Sequence, residues 1–184
     1  MIKIVTPPME SVVTMEEALA HLRVDTTTEN ALIYIYLQAA TEACEGIAHR
    51  SFVERVYDFV PGKIPDTGNP IKLPLPPLMS VESVVYEDIS GNIVTVPTTD
   101  YSVDVISEPG KIIFSVAIDG IPTIRYRAGY GTSDNVPAMY KAAVLLTLAH
   151  LYENRQDVIA QQGAGAVQPP NGAIHLLLMN RGWR

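Results

Sequence analysis

Residues 136–154, reading VPAMYKAAVLLTLAHLYEN, limit most strongly what this chain can fold into. Pro137 stands where a first helical turn tolerates proline, because the N–H it lacks would have had no intrahelical partner. No breaker follows within the run. Ala142, Ala143, Leu146, Ala149, His150 and Glu153 share one side, while Val144, Leu145, Leu148, Leu151 and Tyr152 carry apolar surface nearly all the way round. A helix apolar on most of its circumference is normally buried. This one is too short, and too closely flanked by polar residues, to span a bilayer. It is therefore read as the central helix of the fold, each buried leucine contributing about 1.5–3 kcal/mol. On that reading Leu146→Asp should unfold the domain by burying an unpaired carboxylate.

The 184 residues suit one domain with extensions, and 47% apolar content is enough for a core. Thirteen Lys and Arg against 20 Asp and Glu leave a net charge of −7. Such a chain grips a phosphate backbone poorly, although DNA can pass near it without being held. Cys44, the single cysteine, excludes an intrachain disulfide and a cysteine metal cluster. The N-terminal run has one Lys and then Ile4-Val5 before Pro7-Pro8, which is neither a signal peptide nor a membrane anchor.

Residues 1–13 read as an extended arm, since Pro7-Pro8 forbids an early helix. Thr14-Met15-Glu16-Glu17 is a capping box that opens a short helix with Ala18, Leu19 and Leu22 facing inward. A second helix runs from near Thr28 to about His49. Its inward stripe is expected at Leu32, Ile35, Tyr36, Ala39, Ala43, Gly46 and Ile47, with Glu42, Glu45 and Arg50 at the wet edge. After Ser51 the period changes to two. Strands are expected around Val53 to Phe59, Ile71 to Leu73, Val81 to Glu87, Ile93 to Val96, Tyr101 to Val105, Lys111 to Val116 and Pro122 to Ala128. Asp88-Ile89-Ser90-Gly91-Asn92 is a hairpin turn. In the last strand Ile124 and Tyr126 take one face, Arg125 and Arg127 the other. The class is α+β: a mainly helical core of two N-terminal helices and one long central helix, with a small antiparallel β meander and a flexible C-terminal tail.

Catalytic chemistry is poorly represented. Glu45 with His49, and His150 with Glu153, could meet as a metal site, but the paired Glu-x-x-His pattern of helical carboxylate sites is absent. The favoured reading is a helix-edge hydrogen bond or ion pair, worth little if exposed. Cys44 has no activating base nearby, there is no Gly-x-Ser-x-Gly elbow, and Gly129-Tyr130-Gly131 lacks the third glycine and the Lys-Ser/Thr pair of a phosphate loop. No cofactor, metal ligand or catalytic residue is assigned. Asp100, Asp104, Arg125 and Arg127 read as solvated sheet-face charges, or as partners for a neighbouring subunit.

The tail carries the sharper signal. Residues 161–166, QQGAGA, cannot build a core and read as a linker. Ile174, Leu176, Leu177, Leu178, Met179 and Trp183 then form an apolar tip. Two readings stand: the tip folds back onto its own domain, or it docks on another protein. On the second reading, deleting residues 168–184 leaves the domain folded and abolishes docking.

Several stretches, taken in order, carry a resemblance. They are Ile4-Val5-Thr6-Pro7-Pro8, residues 15–25 (MEEALAHLRVD), the helix from Leu32 to Gly46, and residues 73–81 (LPLPPLMSV). Asp100-Tyr101-Ser102-Val103-Asp104, residues 125–130 (RYRAGY) and residues 149–155 (AHLYENR) follow. In this order the chain resembles the head–tail connector, or adaptor, family of tailed phages and prophages. The resemblance implies a connector domain over residues 14–156 and a docking segment over 157–184. It also implies a homo-oligomeric ring of roughly a dozen subunits under the portal vertex, closed head to tail. Such a ring joins capsid to neck and tail and lets DNA pass without specific binding or membrane contact. The implied location is the virion neck, with assembly in the host cytoplasm. The portal-docking residues are then Ile174, Leu176, Leu177, Leu178, Met179, Trp183 and Arg184. The subunit interface falls to Ile2, Ile4, Val5, Arg125, Arg127, Asp100 and Asp104. A neck or tail-completion protein on the tail side, and a small metal-dependent enzyme, are the alternatives.

Overall fold

The computed structural model describes residues 1–154 and 170–179. These fall into two compact units: a sheet unit of residues 1–10 and 49–132, and a helical unit of residues 11–48, 133–154 and 170–179.

The helical unit holds α1 (Met15–Leu22), α2 (Asn30–Ala48), α3 (Ala138–Glu153) and α4 (Asn171–Leu178). The capping box of α1 is formed as the sequence predicts. The Thr14 N–H donates to Glu17 Oε2 at 2.8 Å, and the Glu17 N–H donates to Thr14 Oγ1 at 3.1 Å. The bond from the Thr14 backbone, more than any other contact, holds the Glu17 carboxyl below its usual range. At the other end Arg23 adopts the left-handed conformation, and its N–H reaches back to Ala20.

Helices α2 and α3 pack against each other, and each also packs against α1 and α4. The buried stripe of α3 is Tyr140, Ala143, Val144, Thr147 and Leu148. Leu146 is 37% exposed, which corrects the expectation that Leu146→Asp would unfold the domain. An all-round apolar helix has no pattern from which the buried side can be read, and packing alone selects it.

The stripe of α2 also departs from expectation. Ile33, Leu37, Ala40, Cys44 and Ala48 are buried, whereas Ile35, Ala39, Ala43 and Gly46 are exposed and Leu32, Tyr36 and Ile47 half-buried. Both sets repeat every three or four residues, so periodicity could not separate them. Glu45, expected at the wet edge, is buried, and so is Arg50 in the sheet unit. Two hydroxyls let polar residues into the helix contact. Thr41 Oγ1 donates to the Leu37 carbonyl and Thr147 Oγ1 to that of Ala143, both at 2.8 Å.

The sheet unit carries two antiparallel sheets. The first has the order β1 (Ile2–Thr6), β2 (Arg55–Phe59), β8 (Thr123–Ala128), β4 (Leu78–Glu87), β5 (Ile93–Thr95); the second has β3 (Pro70–Lys72), β7 (Lys111–Phe114), β6 (Tyr101–Asp104). This is more than a meander: β8 returns from the end of the unit to pair with both β2 and β4. The two sheets share one core around Tyr57, Leu73, Val84, Ile112, Phe114, Ile124 and Tyr126. The expectation of a mainly helical core is corrected accordingly, because the strands bury an apolar cluster of their own.

Alternation sets the faces of β8. Ile124, Tyr126 and Ala128 are buried and Arg127 is exposed. Tyr126 stacks on Tyr57 of β2, ring centroids 5.6 Å apart, and its hydroxyl donates to the Pro74 carbonyl at 2.8 Å. Burial pushes the Tyr126 phenol well above its ordinary pKa. Gly129 ends the strand at φ 128°, where an added Cβ would stand 2.6 Å from the Val53 carbonyl oxygen. The Gly129-Tyr130-Gly131 run is thus the turn of a close backbone approach.

Candidate functional site

The arm comes first. Among residues 1–13, Ile2–Thr6 form strand β1, paired to β2 with Ile2 opposite Phe59 and Ile4 opposite Tyr57. Val12 and Val13 are buried in the helical unit. Every residue of β1 is nonetheless exposed. Ile4 shows 49% of its surface, because β1 is the last strand of its sheet and nothing among the described residues pairs with its outer edge.

The arginine pair sits on the solvent face of β8. Arg125 is gripped at both ends by Asp58, Nε to Oδ1 and Nη2 to Oδ2, each at 2.8 Å. That bidentate contact holds the Asp58 carboxyl below its usual range. Arg127 spans two acids, donating from Nε to Glu82 at 2.6 Å and from Nη1 to Glu54 at 2.5 Å. Both guanidiniums therefore have their charge partners within the chain. A cleft of about 380 Å³ opens beside them, lined by Thr6, Pro7, Met9 and Glu10 after β1, by Val53–Val56, and by Arg127, Gly131 and Thr132.

The two aspartates named from the sequence do different work. Asp100 closes a short 3-10 turn (Thr98–Asp100), and its carbonyl accepts the Ser115 N–H. Asp104 ends β6 and accepts the N–H groups of Ile106 and Ser107, both at 3.0 Å. Hydrogen bonds from Ser107 hold its carboxyl low. The turn it braces presents Ile106 at 92% exposure. The hairpin at Asp88 does the same for Ile89 at 97%, with the Asp88 carboxylate accepting from the N–H groups of Ser90 and Asn92. These two exposed apolar tips were not singled out from the sequence, though the Asp88-to-Asn92 turn signal already placed Ile89 at a hairpin tip.

In the tail, α4 packs against α2 and α3. Ala173 and Leu177 are fully buried, Ile174 and Leu176 half-buried, and Leu178 and Met179 exposed at 48% and 69%. The described part of the tip is thus a fourth helix of the helical unit, with Leu177 in its core. Residues 155–169, which include the whole of the expected linker at 161–166, and Trp183 and Arg184 lie outside the described residues.

The catalytic candidates do not converge. Among the described residues no three His, Cys, Asp or Glu groups come together so as to hold a metal ion. Cys44 is buried against Thr147, Sγ to Oγ1 3.5 Å, and burial pushes its thiol up to about 11. A thiol so placed is protonated and a poor nucleophile. Among the described residues no helix is long and apolar enough to cross a membrane.

Comparison with known proteins supplies the context. No family model matches the chain, and no curated protein matches it. Ten chains from solved structures do, and three of them come from the following particles. One is in the neck of an empty GTA particle computed with C6 symmetry, at TM-score 0.78 and 25% identity over 100% of this chain and 96% of that one. Another is in the virion of a native gene transfer agent (GTA) particle, at TM-score 0.78 and 24% identity over the same shares. A third is in the neck of the native GTA particle computed with C12 symmetry, at TM-score 0.74 and 23% identity, again over 100% and 96%. The likeness covers the whole chain, both units included.

Proposed function

We propose that this chain is a structural head–tail connector of a tailed phage or phage-like particle. It would assemble as a ring of about a dozen copies under the portal vertex, join capsid to neck and tail, and leave a passage for DNA. The full-length likeness to a chain in the neck of a GTA particle, at 25% identity, carries this reading. The negative charge suits a channel through which DNA slides.

The partners are further copies of the chain, the portal protein, and the next neck or tail protein. Ile2, Ile4 and Val5 are the assembly residues whose surface is open; Arg125 and Arg127 would contribute through the faces of their ion pairs. For portal docking, Leu178 and Met179 are the exposed members of the tip, and Trp183 and Arg184 extend the same segment. The location is the virion neck, after assembly in the host cytoplasm.

Mixing the purified chain with its particle's portal and separating the products by sedimentation tests the reading. Co-migration in a fixed, multi-copy ratio is expected. Co-migration only with tail-side components would shift the chain to the tail-completion role, and binding to neither would remove it from the neck.

A further inference from the structure

Among the described residues the first sheet of the sheet unit ends in two different open edges, β1 on one side and β5 on the other. An open edge strand presents unpaired backbone groups, and natural edges are commonly blunted by charge, proline or shortness. β1 has one charge, Lys3, among Ile2, Ile4, Val5 and Thr6, and its prolines come only after it ends.

Register shows which groups point outward. Met1 and Val60 exchange both backbone bonds, Val60 N–H to Met1 O at 2.9 Å and the Met1 amine to Val60 O at 2.7 Å. Antiparallel pairs alternate between bonded and non-bonded, so Lys3 turns its N–H and C=O toward Asp58 while Ile2 and Ile4 turn theirs to the open edge. On β5 the bond from Val96 N–H to Val84 O, 2.9 Å, fixes the same alternation. Val94 faces β4, and Ile93 and Thr95 turn their backbone groups outward.

We propose that the β1 edge of one copy pairs with the β5 edge of the next, joining the sheets of neighbouring subunits head to tail around the ring. This rests on the connector reading and names the contact that closes the ring. All four pairings in the sheet are antiparallel, so with five strands the two edges run the same way. Copies joined edge to edge around a ring differ by a small rotation, which keeps the edges codirectional and makes the junction parallel. A parallel ladder needs one residue to bridge two alternate residues of the other strand. With Ile4 opposite Val94, the Ile4 N–H reaches the Ile93 carbonyl and the Thr95 N–H reaches the Ile4 carbonyl.

The side chains agree with that register. Ile4 lies on the face of Tyr57, and Val94 on the face of buried Val84 and Val96, so apolar meets apolar. On the other face Lys3 falls beside Ile93, whose partner across β4 is the exposed acid Glu87. The β1 edge thus brings a cation to an edge bearing a carboxylate. Because the two edges differ, the contact is heterologous and repeats into a ring.

Two proline variants test this. Ile4→Pro removes an N–H that points away from β2, and Thr95→Pro one that points away from β4, so each monomer should keep its wild-type melting curve. In sedimentation velocity over rising concentration, wild type should form oligomers, each variant alone should lose them, and a mixture should stop at one-to-one dimers through its single intact junction. Oligomers from either folded variant like those of wild type would overturn the edge pairing and leave the ring intact by another contact. A wild type that stays monomeric to its solubility limit would also overturn it, because both edges are formed and, among the described residues, open. The portal mixture would then still decide the connector reading.

Discussion

Inside the helical unit, the inward positions of α2, α3 and α4 are Ile33, Leu37, Ala40, Cys44, Val144, Leu148, Ala173 and Leu177, and the few polar atoms among them bond within the contact. On the solvent face of the first sheet, β8 carries Arg125 and Arg127, locked to Asp58, Glu54 and Glu82 and half-exposed to water. The first arrangement depends on removing apolar area from water and is intolerant of change. The second depends on ion pairs in a high-dielectric setting, which contribute little. The lesson concerns where assembly contacts can sit. Strands stapled on both sides, such as β8, are occupied, while edge strands are held on one side only and keep their backbone chemistry available.

The largest effect that would break this contrast is a charge in the helical core. Leu148→Asp buries a carboxylate among Tyr140, Val144 and the other inward residues and should lose about 4–5 kcal/mol or more, unfolding the helical unit. Leu146→Asp, at a 37% exposed position, should keep a cooperative melt. Thermal denaturation followed by circular dichroism compares them; equal losses would mean that α3 is buried all round. Next in size is Leu177→Ala, expected to lower stability by about 2–5 kcal/mol because α4 belongs to the core. Deleting residues 168–184 should therefore shift the thermal transition down rather than leave the domain intact, and an unchanged transition would return α4 to a docking role alone.

Smaller effects sharpen the comparison. Thr14→Ala removes the oxygen that accepts the Glu17 N–H and should cost about 1 kcal/mol in a urea titration. Asp58→Asn should cost about 0–1 kcal/mol, since the Arg125 side chain is 44% exposed to water. Its signature is pH dependence. The Asp58 carboxyl is held below its ordinary value in the folded chain, so the pair stabilises fully above about pH 4 and loses that contribution as pH falls through the lower, folded value. The Asn variant should lack that acid-side component; an identical profile would mean that the pair contributes nothing.

Much of this was legible in the sequence where one rule acts alone. The capping box at Thr14, the hairpin at Asp88, and the alternation of Ile124 and Tyr126 with Arg125 and Arg127 follow from local chemistry, and each stands in the structure. Local rules fail where two faces satisfy the same period. α2 offers Ile35-Ala39-Ala43-Gly46 as readily as Ile33-Leu37-Ala40-Cys44, and only its neighbours decide between them. The arm and the tip kept two readings each for another reason. Whether Ile2 to Thr6 pair with β2, and whether Leu177 meets α3, depends on long-range partners that no local pattern encodes. The candidate interface was legible only as a set of residues. Its grouping into two opposite edges of one sheet required the strand order β1-β2-β8-β4-β5.

The central claim is that this chain is a ring-forming neck connector, and the most direct measurement is its absolute mass by light scattering, alone and with portal. The account predicts a discrete assembly of about twelve times the 20.1 kDa chain, alone or templated by the portal. A mass that stays at one chain in both conditions would contradict it.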